Sequence, residues 1–309
     1  MQSCCKQINI FSLFRWTFHE VILYLWRKLG RNLVLSVMTT CLVSCFLLSG
    51  CNGQKQIDSE TVKTVKVEEQ AHLQDDTVSP ACKITIDYSY LAESDAADSI
   101  AQRINRTIQA HVLGKEYIRM NPEVAVDSFK NTYIDNYRKD VNEFYQEDIK
   151  NGTPKDELPT WYNYEYGLTT HFSEGKEGIL NFIAETFEYT GGAHPNSWNK
   201  WMNFEKNTGK LLALKDVFMA GSEKPMSDML LEELITEMAT RLEDSSITSL
   251  EGLQNAGILN STNMYVPDNF LLEKEKVSFL YNKYDIAPYA VGVITLSLPY
   301  TSVEKYMIH

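Results

Sequence analysis

The segment from Phe187 to Phe218 reads FEYTGGAHPNSWNKWMNFEKNTGKLLALKDVF and contains the densest motif of the chain. Its first part, Thr190 to Asn196, places two adjacent glycines shortly before a proline. Glycine tolerates positive φ, while proline fixes its own φ and holds the preceding residue extended. The alternating sequences on either side, Ile179 to Tyr189 and Trp198 to Phe204, predict two strands joined by this tight loop.

The remaining hydrophobic patterns predict further strands and three helices. Residues 83–91, 161–172, 270–281 and 291–298 have strand character, whereas residues 95–112, 122–148 and 225–242 repeat their apolar positions at helical spacing. The order is therefore β-α-α-β-β-β-α-β-β. Because helices and strands are grouped rather than alternating singly, the pattern predicts an α+β fold in which an antiparallel sheet is packed by two to three helices.

The central segment resembles the domain-of-unknown-function family numbered 3298. In that family the sequence YTGGAHPN is followed by N-F, by T-G-K and by L-x-L-x-D-x-F. The chain has these in order at Tyr189 to Asn196, Asn203-Phe204, Thr208 to Lys210, and Leu212 to Phe218.

A second block of the chain is similar to the closing part of the same family. Tyr281 to Ala290 and Leu296 to Tyr300 correspond to its Y-N-P-Y-E-I-A-P-Y-A and I-P-Y sequences. Lys283 replaces the usual proline and Asp285 the usual glutamate. The resemblance to this RsiV/PdaC-type extracytoplasmic module implies the fold more strongly than a function, because such modules are shared by proteins with different activities.

The resemblance also implies a domain organisation. Residues 81 to about 172 are similar to the family numbered 4163, the usual N-terminal companion. We therefore expect two intimately joined subdomains, residues 81–175 and 176–309.

The first 51 residues are typical of a lipoprotein signal segment. Lys28 and Arg31 precede an apolar run, residues 33–48, and Leu48-Ser49-Gly50-Cys51 resembles the bacterial motif in which the cysteine receives the lipid. A transmembrane anchor is the alternative, since the run is just long enough to be considered. With lipidation at Cys51, the expected location is the bacterial cell envelope, at the outer membrane or cell surface. The polar residues 52–80 predict a flexible tether.

The charge balance beyond Cys51 is strongly acidic. The first 51 residues hold 5 of the 29 Lys and Arg and 1 of the 41 Asp and Glu, so 24 basic and 40 acidic side chains remain, a net charge of −16. Nucleic-acid binding is not expected, because phosphate contacts require clustered basic side chains. The acidic surface suits a cationic partner, although a solvated surface with no specific partner has the same composition.

His194 is the best candidate for a chemical group in a site. With His171, Glu185 and Glu188 on the neighbouring strands, it could form a metal or acid/base cluster. Alternatively, His194 and Asn196 satisfy backbone groups of the loop. The sequence contains no metal-ligand spacing, nucleophile motif or phosphate-binding loop, so we expect no catalytic residue, no metal and no cofactor.

Aromatic side chains near the same loop offer a second kind of site. Five of them could line an open face that stacks on sugar rings, or they could be core residues: Trp161, Tyr162, Tyr164, Trp198 and Trp201. The candidate ligand-binding set is Tyr189, Gly191, Gly192, His194, Asn196, Trp198 and Trp201.

The sequence thus predicts a non-catalytic envelope lipoprotein that binds a cell-wall glycan or a cationic protein. The resemblance implies lysozyme as one such protein, since the RsiV ectodomain is a receptor for it. The alternative is a hydrolase of envelope polymers, or a metal-dependent enzyme, that uses His194 and nearby carboxylates.

Overall fold

The computed structural model describes residues 61–74, 76–93, 98–260 and 262–308. No helix within these ranges is long and apolar enough to cross a membrane. The predicted signal segment, including Cys51, and residues 52–60 of the predicted tether lie outside the described residues.

A five-stranded sheet forms the first half of the fold. Its strands lie side by side in chain order, and every neighbouring pair is antiparallel except β2 and β3. These two are parallel because two helices intervene between them in the chain, so the connection crosses over. The strands are β1 (Val62–His72), β2 (Ala81–Leu91), β3 (Tyr164–Glu174), β4 (Ile179–Tyr189) and β5 (Asn196–Glu205).

The intervening helices cover one face of this sheet. Helix α1 (Ile100–Val112) begins after Ser99, whose hydroxyl accepts a hydrogen bond from the backbone N–H of Gln102. Helix α2 (Pro122–Lys150) begins with proline. Proline has no backbone N–H, and it is favoured at this position because the first N–H groups of a helix have no acceptor within the helix. Both helices bury apolar side chains against alternate residues of the strands, which confirms the predicted α+β class. Members of this core include Ile84, Ile86, Ile104, Ile108, Val126, Val141, Leu168 and Phe182.

Strand β1 corrects the prediction of a flexible tether over residues 52–80. Residues 62–72 of that segment pair with β2 along their whole length. Val65 and Val67 pack against the core, while Lys66 on the other face forms an ion pair with Asp87. The polar composition that suggested a tether is that of an edge strand, in which charged side chains discourage pairing with other chains.

A second, smaller layer follows the first sheet. Strands β6 (Phe270–Leu272), β7 (Lys276–Tyr281) and β8 (Ile294–Pro299) form an antiparallel three-stranded sheet, so the single strand predicted over 270–281 is two strands with a turn between them. The α-helices of this layer within the described residues are α3 (Leu214–Val217), α4 (Glu223–Arg241), α5 (Leu250–Asn255) and α6 (Tyr300–Val303). Leu230, Leu234 and Met238 of α4 are buried in the core of this layer.

The two hydrophobic cores do not divide at the predicted boundary. Residue 175 lies in the turn between β3 and β4, which pair along ten residues, so a division there would cut one hairpin. The first core instead extends to Phe204 and the second begins at Val217. The chain therefore passes from one core to the other between β5 and α3.

Candidate functional site

The loop between β4 and β5 is shaped by Gly191. Its φ is +84°, and a β-carbon at this position would lie 2.4 Å from the carbonyl oxygen of Trp161. Both the backbone conformation and the close approach therefore require glycine. Gly192 has ordinary space around it, with the nearest atom, the carbonyl oxygen of His194, at 3.9 Å. The two adjacent glycines of the motif thus have different roles.

His194 lies on this loop and contacts the second motif of the chain. Its Nε2 is 3.1 Å from the hydroxyl of Tyr284, and its Nδ1 is 3.2 Å from the carbonyl oxygen of Pro195. Because a carbonyl oxygen only accepts, Nδ1 carries the proton in this arrangement and Nε2 accepts from the tyrosine. The imidazole also stacks on the ring of Tyr289, with centroids 4.0 Å apart and planes at 24°. The hydroxyl of Tyr289 in turn donates to the Pro195 carbonyl at 2.8 Å.

These contacts form an exposed group of rings at one end of the fold. Tyr284 has a φ of +71° and 60% of its surface exposed. The ammonium group of Lys283 lies 4.2 Å from the centroid of the Tyr289 ring, a cation–π contact. Lys283 and His194 thus both contact the ring of Tyr289. We call His194, Tyr284 and Tyr289 the aromatic cluster.

The predicted cluster of His194 with His171, Glu185 and Glu188 does not form. Glu188 lies on the helix-covered side of the sheet and accepts a hydrogen bond from the hydroxyl of Tyr133 at 2.8 Å. Burial, together with this carboxylate, raises the pKa of Tyr133 well above its usual range. His171 and Glu185 alternate with buried residues and lie exposed on the opposite face. Neither nitrogen of His194 contacts a carboxylate in the described part of the chain, and no group of acidic, His or Cys side chains there could hold a metal ion.

The predicted aromatic face is also wrong as a single surface. Trp198 and Trp201 are three residues apart on β5, so their side chains lie on opposite faces of the sheet. Tyr162 is buried, and Trp161 and Tyr164 pack against the first core. The period of two residues along a strand could have shown the separation of the two tryptophans from the sequence alone.

Two other candidate residues have local structural contacts. Tyr189, at the end of β4, is partly buried and pairs with Glu165 of β3. Asn196 begins β5, and its side-chain oxygen accepts a hydrogen bond from the backbone N–H of Ser197 at 3.0 Å. Neither residue contacts the aromatic cluster through a hydrogen bond in the described part of the chain.

Three asparagines connect the outer edge of β5 to the second layer. Asn282 accepts from the backbone N–H of Asn199 at 2.7 Å, and Asn269 accepts from that of Trp201 at 2.7 Å. Both side-chain amides also donate to the carbonyl oxygen of Asn199. Asn203 donates to the carbonyl of Phe270 at 2.9 Å and accepts from the N–H of Leu272 at 2.7 Å. No further strand pairs with β5 at this edge among the described residues, and the amides of Asn269 and Asn282 form hydrogen bonds with its backbone there instead.

Sequence reasoning did not identify this asparagine junction. The available signal was Asn203 itself, an amide in an otherwise apolar strand end, because a buried amide requires hydrogen-bond partners. Asn203 and Asn282 both lie in the two sequence blocks singled out from the sequence, so part of those blocks serves to join the two layers.

A groove lies beside this junction, next to the aromatic cluster. It has a volume of about 320 Å³ and includes Trp198 at the start of β5, Tyr265 and Asp268 in the segment before β6, and Asp285 after β7. Trp198 and Tyr265 are 37% and 38% exposed. We call it the Trp198 groove.

These features define a two-layer α+β module whose two sequence motifs meet at one end. A family described as "Protein of unknown function (DUF3298)" matches residues 215–301, and one described as "Deacetylase PdaC" matches residues 77–197. The second match contains the whole region expected to resemble the N-terminal companion, residues 81–175, and extends through the glycine-rich loop to residue 197.

Solved structures similar to this chain include two from the DUF3298 family. A DUF3298 family member from Bacteroides fragilis is 30% identical, with a TM-score of 0.72 over 80% of this chain and 93% of the other. A DUF3298 family protein from Pseudomonas aeruginosa is 16% identical, with a TM-score of 0.55 over 82% of this chain and 97% of the other, and shares the fold. No curated protein matches the chain significantly. On the basis of the Bacteroides structure, the chain belongs to the DUF3298 family.

Proposed function

We propose that this protein is a non-catalytic binding module of the bacterial cell envelope, attached to the membrane by a lipid on Cys51, and that it binds a cell-wall glycan. The observation that carries the proposal is the environment of His194. The histidine that the sequence offers for chemistry is held by two tyrosines and a backbone carbonyl instead of a carboxylate. Such an arrangement presents rings for stacking and has no acid/base pair.

The exposure of aromatic side chains at this end supports binding. Tyr284, Trp198 and Tyr265 expose 60%, 37% and 38% of their surfaces around the Trp198 groove and the aromatic cluster. Small-ligand sites combine apolar or aromatic walls with a few convergent polar groups. Sugars suit such a surface, because their C–H faces stack on aromatic rings while their hydroxyls form hydrogen bonds.

Capture of a cationic protein such as lysozyme is a second candidate, favoured by one observation. The net charge of −16 beyond Cys51 would attract a basic partner and accelerate its association. The two candidates differ in their dependence on salt, since screening weakens attraction between charged surfaces and leaves stacking largely unchanged.

The test uses the full chain in a mild detergent and purified cell-wall sacculi. We expect the protein to sediment with sacculi to the same extent at low and at high salt, and to release no soluble fragments from them. Tyr284→Ala should reduce sedimentation. Phe187→Ala is the control: it removes an exposed ring on the face of the sheet opposite to Trp198, and it should leave sedimentation unchanged.

Three results would contradict the proposal. Absence of sedimentation would remove the glycan as ligand, and release of fragments would show a hydrolase. Salt-sensitive binding to lysozyme without binding to sacculi would favour the second candidate.

A further inference from the structure

One wall of the Trp198 groove consists of polar side chains that are already hydrogen-bonded to the backbone. The side chains of Asn269 and Asn282 both bind the backbone of β5, each as donor and as acceptor. Asp285 accepts a hydrogen bond from the backbone N–H of Asn282 at 2.7 Å. These side chains fix the shape of the groove, so its binding groups must come from elsewhere.

Several polar groups of the groove have no hydrogen-bond or ion-pair partner in the described part of the chain, and three of them bear on ligand binding. They are the carboxylate of Asp268, the ammonium group of Lys200 and the indole N–H of Trp198. Lys200 and Asp268 line the same groove without forming an ion pair with each other or with another described side chain. Among its available groups, the groove thus offers a ligand one strong acceptor and two donors.

The walls of the groove supply apolar surface beside these groups. Trp198 and Tyr265 are each more than one third exposed, and Pro267 and Leu280 also contribute to the lining. The volume of about 320 Å³ lies at the lower end of the range of small-molecule sites, roughly 300–1,000 Å³. This is space for a short ligand rather than for a folded partner.

We infer that the Trp198 groove binds a short, neutral saccharide segment, with Trp198 as the stacking surface and Asp268 and Lys200 as hydrogen-bond partners of its hydroxyl groups. This inference rests on the proposed function and assigns its ligand to one site. The hydroxyl groups of a neutral sugar can donate to the carboxylate of Asp268 and accept from the ammonium group of Lys200 at the same time. A cationic ligand would be attracted to Asp268 but repelled by Lys200. An anionic ligand would be attracted to Lys200 but repelled by Asp268.

The test measures calorimetric binding of a soluble, neutral N-acetylglucosamine tetramer to the full chain in detergent. We expect saturable binding that changes less than about twofold between low and high salt. Trp198→Ala should weaken it about tenfold or more, because the stacking surface is lost. Trp201→Ala is the matched control, since its ring lies on the opposite face of β5, and it should bind as the wild type does.

A second variant keeps the inference testable if Trp198→Ala does not fold. Asp268 is exposed and has no side-chain partner among the described residues, so Asp268→Ala should leave thermal stability unchanged and weaken tetramer binding about threefold to tenfold.

Two outcomes would overturn the inference while leaving the proposed function intact. In the first, the protein sediments with sacculi but does not bind the tetramer. In the second, a folded Trp198→Ala or Asp268→Ala variant binds the tetramer as tightly as the wild type. Binding of a lysine tetramer in place of the sugar would overturn it too, and would assign the groove to cationic ligands. Failure of sedimentation and of tetramer binding together would overturn both proposals.

Discussion

The hydroxyl of Tyr284 lies 3.1 Å from Nε2 of His194, although the two residues are 90 positions apart in the chain. The contact joins the glycine-rich loop after β4 to the segment after β7. Together with the hydrogen bond from the hydroxyl of Tyr289 to the carbonyl of Pro195, it brings the glycine-rich loop and the segment after β7 to one end of the fold. Much of what these two segments specify is the joining of two layers, and the exposed rings are what remains available for a ligand.

Gly191→Ala should destabilise the protein by about 2–4 kcal/mol, because a left-handed backbone disfavours alanine and its methyl group would overlap the Trp161 carbonyl. Urea unfolding measures the change. Gly192→Ala, with no positive φ and no atom closer than 3.9 Å, is the control and should stay within about 1 kcal/mol of the wild type. Equal losses in the two variants would contradict the assigned role of Gly191.

Asn203→Ala should lower the free energy of unfolding by about 2–4 kcal/mol. The side chain is 1% exposed, and its loss leaves the carbonyl of Phe270 and the N–H of Leu272 without partners at the asparagine junction. Asn196→Ala is the control, because the one hydrogen bond of this exposed side chain within the described residues is to its neighbour Ser197, and it should change stability by less than about 0.5 kcal/mol. A similarly small effect of Asn203→Ala would show that water takes over the two hydrogen bonds of the Asn203 side chain, and would contradict its assigned role in joining the layers.

Asp216 predicts a pH dependence of stability. A hydrogen bond from Lys210 and a second from the backbone N–H of Ala213 hold the pKa of this carboxyl below its usual range. Since the folded-state pKa is lowered, the stabilisation is present above the unfolded-state pKa of about 4 and is lost as pH falls through the folded-state value.

The variant Asp216→Asn should therefore have a lower urea midpoint than the wild type at pH 7, and the difference should shrink as pH falls below about 4. Unfolding curves at pH 7, 4 and 3 would show this. Asp228→Asn, on the exposed surface of α4, is the control and should have little effect at pH 7. If the difference in urea midpoint between the wild type and Asp216→Asn grew as the pH fell, the lowered pKa assigned to Asp216 would be contradicted.

Cys51→Ser should remove the lipid and release the protein from the membrane fraction when the full chain is expressed in a bacterial host. Phase partitioning in detergent and the intact mass measure both effects. Cys45→Ser, a few residues earlier in the same segment, is the control and should be lipidated as before. Unchanged membrane association of Cys51→Ser would favour the transmembrane alternative.

Most of the regular structure could be predicted because it depends on local periodicity. The alternation in β2, β3, β4 and β5 and the helical spacing in α2 and α4 each report the division between core and solvent within a single element. Strand β1 was not predicted, because its charged residues resemble those of an unstructured segment. Its partner β2 supplies the backbone hydrogen bonds that distinguish the two.

The candidate site depended far more on contacts between distant segments. Sequence reasoning found His194, Trp198 and the glycines but placed them with the wrong neighbours. The partners of His194 are Tyr284 and Tyr289, and Trp198 lies near Tyr265 and Asp268 instead of Trp201. No local pattern encodes these pairs, since they arise from the way the second layer packs against the edge of β5.

The sequence by itself determined the family, the order of most helices and strands, and the need for a glycine in the loop after β4, because each follows from residue properties or short-range spacing. Only the tertiary structure decided which side chains share a surface. That decision rests on the hydrogen bonds of Asn203, Asn269 and Asn282, which fix the two layers against each other and so determine which rings stack and which groove remains open.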